Sequence, residues 1–121
     1  MSKKVVFDLD GTLCTSSAPD YENAQAIPEA VEVVNRLYDE GFTILVYTAR
    51  FMGRNGSDIH KTYHEGYDFT KKQLEKWGIK HHRLMMGKPP ADVVIDDLAV
   101  FFQPDWKEIE KRIREKVGDS K

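Results

Sequence analysis

Four short, mainly apolar runs, at residues 4–9 ("KVVFDL"), 42–47 ("FTILVY"), 83–86 ("RLMM") and 93–95 ("VVI"), show no regular polar alternation. A strand with one wet face alternates apolar and polar residues, whereas a strand buried on both faces reads as a nearly continuous apolar run. Helical patterns lie between the runs. Ile27, Ala30, Val34, Leu37 and Tyr38 share one helical face, Pro28 suits the first turn and Gly41 the C-terminal end. Tyr63, Tyr67, Leu74 and Trp77 recur at helical spacings up to Gly78, with Gly66 weakening the first half of that segment. Asp105 suits the cap of a last helix with Trp106, Ile109, Ile113 and Val117 on one face. Residues 14–26 are polar and turn-rich and predict a loop, as do residues 51–62 around "GRNG". Strands alternating with helices predict an α/β domain with a central, mostly parallel sheet, and 121 residues predict a single domain over 1–121.

In such a sheet, ligands sit beyond the carboxyl ends of the strands. The polar residues there form a consistent set. The first run ends in "VVFDLDGTL", with Asp8 inside the apolar stretch and Asp10 before Gly11. Turn chemistry accounts for Asp10-Gly11. It does not account for Asp8, because a buried carboxylate is costly unless paired, hydrogen-bonded or metal-bound. The second run leads to Thr48 and Arg50 in "VYTAR", the third to Lys88, the fourth to Asp96 and Asp97. Crowded carboxylates do not all ionise without a cation. Mg²⁺ suits hard oxygen ligands and a phosphate. Thr48 and Lys88 suit phosphate oxygens. Arg50 reads either as a surface residue or as a second phosphate or sugar contact. A carboxylate can attack phosphorus, and a second one nearby can give and take the proton.

"DLDGTL", "YTAR" and "GKPPADVVIDD" resemble the ordered motifs of the haloacid dehalogenase superfamily, in its phosphatase branch, over most of the chain from Asp8 to Asp97. The resemblance implies a Rossmannoid three-layer sandwich and a Mg²⁺-dependent phosphomonoesterase working through an aspartyl-phosphate. It implies Asp8 as nucleophile, Asp10 as general acid/base, and Thr48 and Lys88 on the phosphoryl group. Asp96, with Asp97, would hold Mg²⁺ together with Asp8 and the Asp10 carbonyl. The compact "GKP" to "DVVIDD" spacing looks most like bacterial phosphatases of capsule or surface-polysaccharide biosynthesis, which points to a phosphorylated sugar or related small metabolite. The gaps from Asp8 to Thr48 and from Thr48 to Lys88 are each about filled by one helix with its loops, so no cap domain is expected. By the same resemblance, capless relatives take macromolecular substrates or borrow a neighbouring subunit as a lid, so a homo-oligomer fits.

Other readings are weaker. A nucleic-acid 3′-phosphatase is the alternative among capless enzymes, but a net charge of −2 counts against a polyanionic partner. A phospho-binding or receiver-like module would place an adjacent acidic pair on its first strand and its lysine last; here Lys88 precedes Asp96-Asp97. Lys3 and Lys4 precede an apolar stretch broken by Asp8, which resembles neither a signal peptide nor an anchor, and a lone cysteine fits a reducing, cytoplasmic setting. Cys14 has no evident base nearby, and His60, His64, His81 and His82 read as loop or surface residues. The stretch from Phe51 to Asp68 leaves the strand carrying Thr48 and is expected to shape substrate choice.

Overall fold

The computed structural model describes residues 3–17 and 20–118. Its strands are β1 (Lys4–Asp8), β2 (Cys14–Ser17), β3 (Asp20–Ala26), β4 (Thr43–Thr48) and β5 (Arg83–Met86). Its helices are α1 (Pro28–Asp39), α2 (Ile59–Lys76) and α3 (Trp106–Val117). The α/β class and the parallel sheet agree with the sequence. β4 lies in the middle of a three-stranded sheet of order β1-β4-β5, parallel throughout. Asp8 pairs with Tyr47, and Thr48 with Met86. The register therefore brings the carboxyl ends of all three strands level, which sets Asp8, Thr48 and the segment after Met86 along one edge.

Three expectations need correction. Residues 14–26 are not a loop. β2 and β3 form an antiparallel hairpin, with Cys14 opposite Ala26 and a register shift between Thr15 and Ser17; its tip, at 18–19, lies outside the described residues. Cys14 packs into the core and takes the first strand with it, a tertiary preference that local turn chemistry does not reveal. The second helix starts at Ile59, because the Asp58 side chain caps it by accepting from the Lys61 amide. The loop thus ends at Asp58 and not at residue 62. Third, the run at 93–95 forms no strand. Residues 87–105 contain no helix or strand, and Val93, Val94 and Ile95 are exposed, Ile95 by 96%. Burial, not pattern, decides whether such a run pairs, and nothing within the described chain covers it.

The core is built from α1 (Ala30, Val33, Val34, Leu37), the turn after β1 (Leu9, Leu13, Cys14), β4 (Ile44, Val46), β5 (Leu84, Met86) and Leu74. Ala30, Val34 and Leu37 fall where the helical spacing puts them, with Pro28 in the first turn as expected. In α2 the buried stripe is Thr62, Gly66, Thr70 and Leu74, one residue away from the expected Tyr63–Tyr67 face. Small side chains let α2 come close to the loop before it, where the Phe51 ring lies over Gly66. Tyr63 instead uses its hydroxyl to accept from the Met86 amide, on the outer strand of the sheet (3.0 Å). α3 begins at the expected cap, where Asp105 accepts from the Glu108 amide. It is tied down by Trp106 against Phe7 and by Arg114, whose guanidinium bridges Glu40 and Glu110.

Gly66→Ala tests the tight approach of α2. Alanine favours a helix interior by about 1 kcal/mol over glycine, but a Cβ here runs into the Phe51 ring and the Met86 methyl. Overpacking costs typically about 1–3 kcal/mol, so the variant should unfold at lower urea than the parent. Adding Phe51→Ala should remove most of the penalty of the glycine substitution. A Gly66→Ala chain as stable as its parent would mean that Phe51 is free to move aside.

Candidate active site

β1 ends at Asp8, and the chain then turns sharply. The amides of Thr12, Leu13 and Cys14 converge on the Leu9 carbonyl, at 3.2, 2.8 and 3.2 Å. Gly11 takes a positive φ of 85° to allow this, a conformation that costs a side-chain-bearing residue. The turn holds the two carboxylates in different surroundings. Asp8 is half-buried and makes two contacts: Oδ1 accepts from Lys88 Nζ at 3.0 Å and Oδ2 from the Thr12 hydroxyl at 3.1 Å. Lys88 is held in place from its backbone, because its amide donates to the Thr48 carbonyl at 3.1 Å.

Asp10 is gripped far more tightly. Arg50 Nε donates to both carboxylate oxygens, at 2.8 and 3.1 Å, and Nη2 adds a third bond at 2.9 Å. The Ser16 hydroxyl donates to Oδ1 at 2.7 Å, and the Cys14 thiol approaches the same oxygen at 3.4 Å. Burial alone would raise the Asp10 pKa, but the Arg50 bonds and charge, with Ser16 and Cys14, outweigh it and hold the carboxyl below its ordinary value. Asp10 is therefore ionised at neutral pH. The contribution of this pair to stability is present above the unfolded-state pKa and is lost as pH falls through the depressed one. Cys14 is pushed up to about 12, first by burial and then by the charge of Asp10. The thiol is an inert packing group, in line with the sequence reading that it is no nucleophile.

Arg50 is the main revision among the site residues. Its side chain is fully buried, and its guanidinium is used up on Asp10, on Gln73 Oε1 (2.6 Å), on the Cys14 sulfur, and over the Tyr21 ring (4.7 Å). It offers nothing to a phosphate or a sugar; it positions Asp10. Its partners Gln73, Tyr21 and Ser16 are absent from the sequence reading. The one available signal was the alternation of Cys14 and Ser16, which share a face once 14–17 is a strand. Thr48 is buried at the end of β4 and accepts from the Arg50 amide at 3.0 Å, which leaves its own hydroxyl proton to donate.

Asp96 and Asp97 do not join this site. Both are exposed in the stretch after β5, and Asp96 Oδ1 accepts from the Leu98 amide two residues on. Among the described residues no three His, Cys, Asp or Glu side chains are grouped so as to hold a metal ion. The oxygen set expected for Mg²⁺ is thus not assembled within one chain: Asp8 stands with a lysine beside it, and the Asp10 carboxylate is already bound by Arg50. The histidines have structural roles or lie on the surface. His82 accepts the Ile44 amide and stacks on Tyr38; His81 lies within 2.8 Å of Lys71 Nζ, and burial lowers its pKa.

A family model described as "PITM 1-3, LNS2 domain" matches residues 5–74, which include the Asp8–Asp10 turn, the hairpin, α1, β4 and most of α2. No curated protein matches the sequence. Among solved structures, a crystal structure of an MCSG target from Vibrio cholerae has a TM-score of 0.77 at 27% identity, over 95% of this chain and 98% of that one. The structure of the Pnkp1/Rnl/Hen1 complex has a TM-score of 0.51 at 18% identity, over 98% of this chain and 36% of that one, a likeness of fold alone. D,D-heptose 1.7-bisphosphate phosphatase from B. bronchiseptica, complexed with magnesium and phosphate, is at 18% identity with a TM-score of 0.48, over 96% of this chain and 64% of that one.

Arg50→Gln keeps a hydrogen-bonding group near Asp10 but removes the charge. Burial is then opposed only by the Ser16 and Cys14 hydrogen bonds, so the Asp10 carboxyl should titrate at higher pH than in the parent. The ¹³C chemical shift of the Asp10 carboxyl, followed against pH, reads this directly. An unchanged midpoint would mean that Arg50 does not set the charge state of Asp10.

Proposed function

The chain belongs to the family described as the LNS2 domain of PITM 1-3, and from that core together with the Asp8–Lys88 pair we propose that it is a phosphomonoesterase. The observation that carries the reading is a half-exposed carboxylate at the end of a parallel strand with a lysine 3.0 Å away and a second, arginine-held carboxylate two residues on. A phosphate dianion entering here meets the positive charge of Lys88 and the hydroxyl proton of Thr48.

In the proposed reaction an Asp8 oxygen bonds to phosphorus while the ester P–O bond breaks. The leaving oxygen takes a proton from Asp10. Asp10, now a carboxylate, takes a proton from water; the resulting hydroxide attacks phosphorus, and the Asp8–phosphorus bond breaks. Asp10 must therefore be protonated for the first half and ionised for the second. Arg50 favours the second form in the free site. An arriving phosphate dianion works in the opposite sense, since a like charge nearby raises a carboxyl pKa. The substrate thereby helps to protonate its own acid.

Mg²⁺ is the proposed cofactor of the completed site. The resemblance to phosphatases of capsule and surface-polysaccharide biosynthesis makes phosphorylated sugars the first substrates to try. Among the described residues the β2–β3 hairpin and the 51–58 loop add no separate domain beside the site, which supports a substrate reached from open solvent. That loop is less free than its composition suggests: Met52 is buried, and Asn55 donates to the Phe51 carbonyl and to Glu65.

The test is phosphate release from a panel of sugar phosphates and p-nitrophenyl phosphate, with and without Mg²⁺. Release should occur with at least one sugar phosphate, stop on addition of EDTA and return with excess Mg²⁺. Asp8→Asn should abolish it while leaving the circular dichroism spectrum unchanged, because an amide is near-isosteric but a poor nucleophile. Asp10→Asn should lose roughly 10²–10⁴-fold, the usual contribution of general acid–base catalysis. Undiminished turnover in Asp8→Asn would remove Asp8 from the nucleophile's role. Release from single-stranded oligonucleotide 3′-phosphates and from no sugar phosphate would favour the nucleic-acid alternative.

A further inference from the structure

Two surfaces of the chain are incomplete, and they match. One is the outer edge of β1. Among the described residues β1 pairs only with β4, so its other edge presents unpaired backbone groups, a template for another strand. Val6, in the middle of that strand, is 54% exposed. An apolar run with no polar alternation belongs inside a sheet and not at its border. The other surface is the arm at 87–105. It carries Val93, Val94, Ile95, Leu98 and Phe101 to solvent, Phe101 by 82%, and forms no helix or strand. Isolated exposed apolar residues are ordinary; a contiguous set of this size marks an interaction site.

The root of the arm explains why it stands away from its own sheet. Gly87 leaves β5 at a φ of 96°, and Pro89 and Pro90 follow. Each proline pushes the residue before it toward extended conformations, which disfavours a helical turn at Lys88 and Pro89. At the far end, Trp106 packs on Phe7 of β1, and its indole N–H is buried with no acceptor. The arm thus starts from one outer strand, β5, and ends where Trp106 packs on a residue of the other, β1.

We propose that two copies of this chain exchange their arms, the 93–95 run of each adding as a fourth strand to the β1 edge of the other and carrying Asp96 and Asp97 to the partner's Asp8. The exchange rests on the arm and the edge; only the role of Asp96 and Asp97 as metal donors rests on the phosphatase reading. The arrangement is isologous: each copy supplies the same arm and the same edge, so a two-fold pair closes on itself. It covers the exposed apolar run and the border valine. It also supplies carboxylates to Asp8 that the described residues of one chain do not group into a metal site.

Cross-linking tests the pairing with no activity required. Val6→Cys/Val94→Cys puts one thiol at the middle of each strand of the proposed pair, within reach of a short linker, while Cys14 is buried and does not compete. A short bismaleimide should convert most of the protein to a covalent dimer on a denaturing gel. A link formed only within one chain would show the arm lying on its own sheet and would overturn the exchange. So would the absence of any link. Should that variant misfold, light scattering on the wild-type chain gives the answer: it should weigh as a pair, and Ile95→Lys/Phe101→Lys as a single chain. A wild-type monomer overturns the proposal.

Complementation then reads the site. Asp8→Asn and Asp96→Asn/Asp97→Asn, inactive alone, should regain phosphate release when unfolded and refolded together, since each mixed pair holds one intact site. A cross-linked dimer without regained release would leave the exchange standing and remove Asp96 and Asp97 from the partner's site. Absence of release from the wild-type chain would count against the phosphatase reading and leave the cross-link result untouched.

Discussion

The ion pair between Asp10 and Arg50 holds the site together. Arg50 has no exposed surface on its side chain, and a buried guanidinium is tolerated only when its donors are matched. Here they reach the turn after β1, α2 through Gln73, and β3 through the ring of Tyr21. Gln73 in turn donates to the Tyr21 carbonyl at 2.7 Å, which closes the ring of contacts. The hairpin, the first turn and the second helix are thereby fixed to the end of β4 by one side chain. Removing one partner of such a buried pair is strongly destabilising because the other charge is left uncompensated. The same contacts that fix the geometry also hold the Asp10 carboxyl below its ordinary pKa, so one group sets both the packing and the charge here.

The strands β1, β4 and β5 and the helices α1 and α3 were legible because their signals are short-range: apolar runs, a proline in a first turn, an aspartate cap. Asp8, Asp10 and Lys88 were legible because parallel strands deliver their carboxyl ends to one edge. Arg50 is neither the surface residue nor the phosphate or sugar contact that its place after a strand suggests, but a buried partner of Asp10. One-dimensional pattern reports that a cation follows a strand end, but whether it points to solvent or into the body depends on what packs above it, here a hairpin read as a loop. The hairpin itself was hidden because β2 and β3 are mostly polar and lie on the surface, where pairing is decided by Cys14 and Ala24 reaching the core. α2 started earlier than its pattern implied because the Asp58 cap was overlooked, and its buried face consists of small residues that carry little hydrophobic signal.

The run at 93–95 is a different kind of mismatch. Its composition is that of a buried strand, and the physical expectation attached to that composition is sound: valine and isoleucine side chains should leave water. What sequence cannot say is which molecule covers them. The conflict between local pattern and single-chain structure is therefore informative in itself, since natural sequences are consistent across levels except where function or assembly intervenes.

Tyr63 carries a consequence for how this sheet can grow. Its hydroxyl occupies the Met86 amide on β5, and α2 packs alongside that strand, so this border is partly blocked, whereas among the described residues no strand pairs with the outer edge of β1. A ribbon with two open borders adds monomers without end, as fibrils do; a ribbon with one can accept a single neighbour and is then finished. One phenolic oxygen in this position takes up a donor through which a further strand would add to β5, and so works against edge-to-edge stacking on this border.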